Sequence, residues 1–422
     1  MLSEKLHDAL TDDAVETDPD EARRFARHLV SLMATKIADG LIDPKLVLAW
    51  LMSALGAPGY LIGVLVPVRE SGALLPQIAL AREIQRRPVR KYFWAAGSFF
   101  QGVSALGIGI AALTLDGAAA GWVIIACLAV LSLARAACSA SYKDILARTV
   151  AKGARGTVSG SAGTVAAAVV FGFAAALAVG IIPISVPAIS LAVLVAGALW
   201  VTAALVFVRL NEPEDTRASD SLGDATAILA PLREDGEFRA YVAVRGLLIA
   251  TALAPPFLIM LTDSGGDDGL GNLGLLLIAS SLAAIASSYV WGRLSDSSSR
   301  RTLLFSALLA AVALGGAAIL GLITGGLGGI WTAPLVLFVA QIAYEGVRAG
   351  RKTHLADMDT DGQKAIYTAL SNTMIGVLLL AGGGFGLIAN MFGPAVVLAL
   401  FAGMSLLAAL AALRLGEVQQ MG

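Results

Sequence analysis

The sequence repeats one feature twelve times, an apolar stretch long enough to cross a lipid bilayer. A helix that spans the hydrocarbon core needs about 20 consecutive, mostly apolar residues. The stretches lie near 45–66, 71–87, 92–114, 119–142, 156–181, 187–209, 239–261, 270–293, 302–324, 330–350, 364–390 and 394–414. The pattern predicts an all-α polytopic membrane protein with twelve transmembrane helices.

Composition agrees with this prediction. Hydrophobic residues make up 57% of the 422-residue chain and charged residues 14%, whereas a soluble domain carries about 25% charged residues. The net charge of −1 gives no sign of a nucleic-acid partner. Cys127 and Cys138 share one apolar stretch, so they do not indicate an extracellular disulfide framework. Because His7, His28 and His354 are scattered, we expect no metal site and no bound cofactor.

Polar segments divide the chain into five regions. Six apolar stretches fall within 45–210 and six within 239–415, and the linker 211–238 between them is rich in Asp, Glu, Ser and Pro. Residues 1–44 and 416–422 form the polar ends. The predicted architecture is therefore two six-helix bundles joined by a hydrophilic linker.

A short internal repeat supports two equivalent halves. The run Lys143–Ala147, followed ten residues after its first position by Gly153, matches the run Lys352–Ala356, followed at the same spacing by Gly362. Repeats of this kind, detectable as weak internal similarity, are common in membrane transporters. The two six-helix groups are therefore interpreted as pseudo-repeats.

Lysine and arginine are concentrated on one side of the predicted topology. They occur before the first stretch and in the loops after even-numbered stretches, for example at Arg86, Arg87, Arg90, Lys91, Lys152, Arg155, Arg217, Arg233, Arg300, Arg301 and Lys364. Cytoplasmic loops carry such an excess of positive charge. We therefore expect both termini and the linker to be cytoplasmic, and the acidic loop 262–269 to face outward.

The polar N-terminal region contains one predicted helix. Asp18 and Pro19 are typical of a helix start, and Phe25, Leu29, Met33 and Ile37 then recur at four-residue spacing. The helix is amphipathic, with arginines beside the apolar residues. It either lies on the cytoplasmic leaflet or packs on the cytoplasmic face of the protein.

The turn between the eighth and ninth stretches carries a recognisable pattern. Gly292, Asp296, Arg300 and Arg301 are spaced as in the cytoplasmic-loop signature of the major facilitator superfamily, with Ser299 in place of a second glycine. The chain resembles that family here and, through its six-plus-six organisation, over nearly everything after residue 44. The resemblance implies a monomeric transporter in the bacterial cytoplasmic (inner) membrane.

The same resemblance implies a conformational latch at the cytoplasmic ends of the helices. In the second half it would consist of Gly292, where backbones approach closely, with Asp296, Arg300 and Arg301. In the first half the corresponding turn lacks both the glycine and the aspartate, and Glu83 is the available substitute acid. Lys143 and Asp144, with Arg351 and Lys352, are expected to belong to the same layer of ion pairs.

Polar residues within the apolar stretches are candidates for a binding cavity, because charges are costly in the membrane. These candidates are Arg135, Arg245, Gln341, Glu345, Arg348 and Asn372. Gln341, Glu345 and Arg348 are spaced to lie on one face of a helix. For Arg245 and Arg348 the alternative is a side chain that extends to the headgroups. For Arg135 it is a purely structural ion pair.

A second group of candidates precedes and opens the unusually short second stretch. Arg69, Glu70 and Gln77 flank a segment interrupted by Gly72 and Pro76. Interrupted helices often form binding sites in transporters. An ordinary external turn is the alternative interpretation, and the sequence does not decide between them.

These observations predict a secondary active transporter that moves a small solute by alternating access. No ATP-binding motif is present, so a proton or sodium gradient, or the gradient of the solute itself, would supply the energy. The arginines favour an anionic or zwitterionic substrate. A membrane-embedded enzyme is disfavoured, because no His, Asp and Glu cluster supplies a reactive group. A non-transporting receptor or assembly factor on the same fold is the alternative, since fold does not fix function.

Overall fold

The computed structural model describes residues 19–151, 154–214, 225–263, 273–358, 360 and 364–419, and every regular element in these ranges is an α-helix. The helices of the first half are α1 Pro19–Leu41, α2 Val47–Ala54, α3 Gly59–Leu74, α4 Gln77–Gln85, α5 Lys91–Thr114, α6 Gly117–Thr149, α7 Arg155–Ala178 and α8 Val186–Val208. Those that follow are α9 Ala225–Glu234, α10 Gly236–Leu247, α11 Ile249–Asp263, α12 Leu273–Ser297, α13 Ser299–Thr324, α14 Thr332–Asp357, α15 Lys364–Gly382, α16 Gly384–Phe392 and α17 Pro394–Ala412.

Parts of four predicted regions lie outside the described residues. They are residues 1–18 of the N-terminal region, 215–224 of the linker, 264–272 of the outward loop and 420–422 of the C-terminal tail. The expectations that fall on these residues stay predictions.

The protein is an integral membrane protein. Within the described ranges, nine helical stretches are long and apolar enough to cross a membrane: 91–114, 117–149, 155–178, 186–208, 236–262, 273–297, 299–324, 366–392 and 394–412. Large apolar side chains such as Val312 and Leu322 are exposed on the surface, at 71% and 62%, as a lipid-facing surface requires. The remaining helices, α1 to α4, α9 and α14, are short, interrupted or carry charges. The count of twelve crossings therefore stays a prediction.

The first two predicted spans are wrong in their boundaries. The stretch 45–66 is not one helix, because the chain turns between Ala54 and Gly59. Gly56 has a φ of +71° in this turn, a conformation that favours glycine, and the Gly117 amide donates to the Leu55 carbonyl at 2.7 Å. The turn is built from apolar residues, so hydropathy does not reveal it. The stretch 71–87 is likewise divided between α3 and α4 next to Pro76.

Helix α1 is part of the bundle. Phe25, Leu29 and Ala38 are buried, and α1 packs along α7 and α8. The Lys36 ammonium donates to the Ser159 carbonyl of α7 at 2.9 Å. The interpretation of this helix as one lying on the membrane leaflet is wrong, because its apolar face is covered by neighbouring helices of the same protein.

Three helix pairs form most of the contact between the two halves: α3 with α16, α3 with α15, and α7 with α12. The closest approach on the first pair is between two glycines. A Cβ atom on Gly63 would lie 2.5 Å from the Gly386 Cα, and one on Gly386 would lie 2.6 Å from the Tyr60 carbonyl oxygen. Small residues let helix backbones pack closely in membranes. This packing holds α3 against the second half, beside the cavities described next.

Candidate functional site

Two adjoining cavities lie between the halves. We call the first, of about 320 Å³, the paired chamber. Its acidic lining residues are Asp39, Asp43, Glu70 and Glu345, and its basic lining residues are Lys45, Arg69, Arg135 and Arg348. We call the second, of about 440 Å³, the cationic chamber; its charged lining residues are Glu70, Arg245, Arg348, Arg351 and Lys352. Glu70, Tyr344 and Arg348 line both chambers.

Asp39 takes part in two ion pairs in the wall of the paired chamber. Its carboxylate lies 2.8 Å from an Arg69 guanidinium nitrogen and also forms an ion pair with Arg135. These contacts join α1, α3 and α6. Arg69 is only 8% exposed, and a buried guanidinium needs such a partner because it has lost its water. Arg135 therefore forms a structural ion pair and lines the cavity as well, so its two predicted roles are not exclusive.

The interruption between α1 and α2 brings another charge into this chamber. The Asp43 carboxylate accepts hydrogen bonds from the backbone amides of Lys45 and Leu46, at 2.7 and 3.0 Å. It thereby satisfies amides that a starting helix leaves without partners. The Lys45 ammonium lies 3.6 Å from the centroid of the Tyr344 ring, a cation–π contact between the two halves.

Helix α14 presents three predicted residues to the paired chamber. The Gln341 amide donates to the Glu345 carboxylate at 3.1 Å, and Arg348 forms an ion pair with the same oxygen at 3.3 Å. The prediction that they share one helical face is confirmed. Tyr344 between them was not predicted as a lining residue, although its position next to Glu345 could have indicated it.

Arg245 is held inside the bundle. It is 7% exposed, and it donates to the Ser371 hydroxyl at 2.6 Å and to the Asn372 side-chain oxygen at 2.9 Å. The interpretation that its side chain extends to the headgroups is therefore wrong. The Asn372 amide in turn donates to the Gln77 side-chain oxygen at 3.2 Å, which links α15 to α4 across the halves.

The beginning of the short second stretch contributes to the chamber walls. Arg69 and Glu70 lie within α3 and line the paired chamber, and Gln77 begins α4. The alternative of an external turn is wrong for these residues. Sequence patterns miss Asp39 and Asp43, because the region before residue 45 is too polar to be predicted as a span, and they miss Lys45, because it lies at the edge of the first predicted span. The apolar spacing along α1 was the available signal, since it predicts a helix with a face to bury.

The predicted latch residues are arranged differently from the expectation. Asp296 is exposed, and no hydrogen bond or ion pair joins it to the part of the chain that the structure describes. Arg300 instead lies 3.7 Å from the Glu417 carboxylate. The predicted close approach at Gly292 is wrong for this arrangement, because an added Cβ would meet no described atom within 4 Å.

Glu417 reaches the start of α13. Its carboxylate accepts a hydrogen bond from the Ser298 hydroxyl at 2.8 Å, and that hydroxyl also accepts one from the Arg301 amide at 3.1 Å. An acid is favourable at this position, because a helix N-terminus carries a partial positive charge. The acid that offsets Arg300 therefore comes from the segment after α17 rather than from Asp296.

The first half contains an equivalent arrangement at the start of α5. The Glu212 carboxylate accepts from the Arg90 and Lys91 amides, at 3.0 and 2.6 Å, and forms an ion pair with Arg148. Asp144 lies 2.5 Å from Arg90 and 2.9 Å from Arg148. The expected participation of Asp144 in ion pairs at this end is thus present.

The other two predicted residues of the first-half latch behave differently. Glu83 forms its ion pair with Arg87 at 2.7 Å, four residues along the chain, and both side chains are exposed. Lys143 is exposed as well. Two short motifs could have revealed the acids that do cap helices, since Arg209-Leu210-Asn211-Glu212 recurs as Arg414-Leu415-Gly416-Glu417.

Comparison with solved structures identifies similar folds. A mutant of the nucleoside transporter NupG superposes with a TM-score of 0.70 at 12% sequence identity, covering 93% of this chain and 100% of that one. NupG itself gives a TM-score of 0.66 at 11% identity, covering 93% and 98% of the two chains. A POT family transporter in complex with a thioalcohol-conjugated peptide gives 0.63 at 12% identity, covering 92% and 94%.

Comparison of the sequence with known protein families and curated proteins finds no relative. The structural likeness nevertheless extends over more than nine-tenths of the chain, in agreement with the loop signature and the six-plus-six pattern. The chain therefore has the fold of these transporter structures, which is the fold that the resemblance to the major facilitator superfamily implies.

Proposed function

We propose that the protein is a secondary active transporter that moves a small organic solute across the membrane by alternating access. The observation that carries the proposal is the pair of charged chambers between two halves of membrane-spanning helices. Ionisable groups at such a position are costly and mark solute or ion pathways. In transporters built from repeated halves, solute sites lie where the halves meet.

The similar structures support the same class of solute. They are a nucleoside transporter and a POT family transporter in complex with a peptide conjugate. Both solutes are small, polar organic molecules. A cavity volume of about 440 Å³ lies within the usual range of about 300–1,000 Å³ for small-molecule sites.

The energy for accumulation would come from a proton or sodium gradient. Glu345 is the proposed coupling acid, because it lies between Gln341 and Arg348 on the wall of the paired chamber. We further propose a monomer in the bacterial cytoplasmic membrane, with both ends in the cytoplasm. The first six-helix unit would then begin with α1, at residue 19 rather than 45.

Flux through reconstituted protein tests the proposal. Purified full-length protein in proteoliposomes should take up a nucleoside, a dipeptide or an organic anion faster than empty vesicles, and an imposed proton or sodium gradient should drive accumulation. Glu214→Gln serves as a control, since it alters an exposed acid outside the chambers. Solute binding without flux of any solute would contradict transport and favour a receptor or assembly factor.

A further inference from the structure

The cationic chamber differs from the paired chamber in its charge balance. Four acids face four bases in the paired chamber, whereas four bases and one acid line the cationic chamber. The single acid, Glu70, is shared by both, and Lys45 and Arg69 act on it more strongly than Arg351 does. The cationic chamber therefore carries positive charge that its own wall does not neutralise.

Arg245 shows this imbalance most directly. The residue is only 7% exposed, yet the hydrogen-bond partners of its guanidinium are the neutral groups of Ser371 and Asn372, with the Tyr241 phenol also in reach. Its Nε atom has no hydrogen-bond partner within the described chain. A buried charge without an opposite charge is costly. Such a group is stabilised when an anion enters the cavity.

Two further cations face the same space. Arg351 and Lys352 line the chamber on α14, and neither forms an ion pair with a carboxylate in the ranges that the structure describes. Arg348, one turn earlier, is already paired with Glu345. Residues three and four positions apart lie on the same helical face. The bases of α14 therefore lie close together on that helix and line the same chamber as Arg245.

The rest of the wall is apolar. Leu74, Leu248, Ile249, Ile375 and Leu379 line the chamber beside the cations. Guanidinium groups hold carboxylates and phosphates through paired, charge-assisted hydrogen bonds. An apolar surface binds a hydrocarbon body and not a bare inorganic ion. The wall thus combines the two features that recognise an amphipathic anion.

We infer that the cationic chamber binds an organic anion, with its carboxylate or phosphate group on Arg245, Arg351 and Lys352 and its apolar body against the leucine and isoleucine wall. This inference rests on the proposed function and specifies its substrate class. The paired chamber is not the proposed anion site, because acids of the same chain already neutralise the bases in its wall.

Matched ligands test the inference by binding alone. Phenylacetate, phenyl phosphate, phenylacetamide and phenethylamine present the same ring with anionic, neutral or cationic heads. Each is added to purified full-length protein in detergent while the unfolding temperature is measured, since a ligand of the folded state raises it. We expect phenylacetate or phenyl phosphate to raise this temperature and to bind with measurable affinity, whereas the amide and the amine have no effect. The stronger anion distinguishes carboxylate from phosphate recognition.

Variants locate the anion. Arg245→Gln and Lys352→Gln should each weaken anion binding on the order of 10- to 100-fold, the usual effect of losing a charge-assisted hydrogen bond. Arg293→Gln, at an exposed position on α12, should leave the affinity unchanged. Should Arg245→Gln fail to fold, Lys352→Gln and Arg351→Gln carry the test.

The outcomes separate the two proposals. Equal binding of phenylacetate and phenylacetamide, or anion binding that survives all three substitutions, would overturn the anion site. Anion binding without flux in proteoliposomes would leave the site intact and contradict transport. Flux of a neutral solute that excess phenylacetate does not inhibit would uphold transport and reject an anionic substrate.

Discussion

The two chambers share three wall residues but differ in whether the charges in their walls are neutralised. In the paired chamber, Asp39 lies between Arg69 and Arg135, so the charges are neutralised when the chamber holds nothing else. In the cationic chamber, Arg245 has only neutral hydrogen-bond partners among the described residues. Removing one member of a buried pair leaves an uncompensated charge, whereas removing an unpaired charge does not. The charges of the paired chamber therefore neutralise one another, whereas the cationic chamber has the charge balance that the proposed anion site requires.

The largest expected loss of stability is for Asp39→Asn in the paired chamber. Arg69 and Arg135 would then be neighbouring positive charges without their shared acid, and the loss should lower the free energy of unfolding by about 3–5 kcal/mol. Thermal or denaturant unfolding in detergent measures this change. Asp20→Asn, which breaks an exposed ion pair with Arg23, is the matched control and should shift the unfolding temperature little. Equal shifts for both variants would show that the paired chamber is not stabilised by its charges.

The next effect concerns transport and is expected for Glu345→Gln. The amide keeps a hydrogen-bond acceptor for Gln341 but cannot carry a charge, so gradient-driven accumulation should fall. Coupling between two ligands is typically worth about 5- to 150-fold, and a loss of that size is expected. Exchange of solute across vesicles without a gradient should persist. Unchanged accumulation would remove Glu345 from the coupling role.

A smaller effect on stability is expected in the cationic chamber, for Arg245→Gln. Glutamine can still bond Ser371 and Asn372, and the substitution leaves no acid without its base. The free energy of unfolding should therefore change by less than about 1 kcal/mol, or rise. The same unfolding measurement as for Asp39→Asn sharpens the comparison directly. A loss as large as that for Asp39→Asn would mean that Arg245 is a structural charge and that the chambers do not differ.

The smallest effect on stability is expected outside both chambers, for Asp296→Asn. An exposed side chain without a partner in the described chain should alter the free energy of unfolding by no more than about 0.5 kcal/mol. The loop resemblance predicts that this variant nevertheless populates the inward-open state. Labelling of single cysteines introduced at the cytoplasmic ends of the chambers measures that shift. No increase in labelling would show that Asp296 is not a latch.

Sequence patterns predicted some of the site and missed its other members for one reason. Arg135, Glu345 and Arg348 were recognisable because each charge interrupts an otherwise apolar stretch. Asp39 was not, because it lies in a helix with many charges, and such a segment resembles a soluble tail. Hydropathy averaged over a window also predicts one span at 45–66, although the chain turns at Gly56 within it. The charged residues of the candidate site lower the mean hydropathy of the helices that carry them. Hydropathy therefore predicts these helices least well.

The sequence by itself determined that the chain is a helical membrane protein of two similar halves, because hydropathy, charge distribution and repeats are properties of local segments. It also marked which charges inside those segments require a partner. Only the tertiary structure decided the partners, such as Asp39 for Arg135, 96 positions away along the chain, and Ser371 with Asn372 for Arg245. The physical reason is that the cost of burying a charge depends on which groups surround it, and those groups come from helices far apart in sequence.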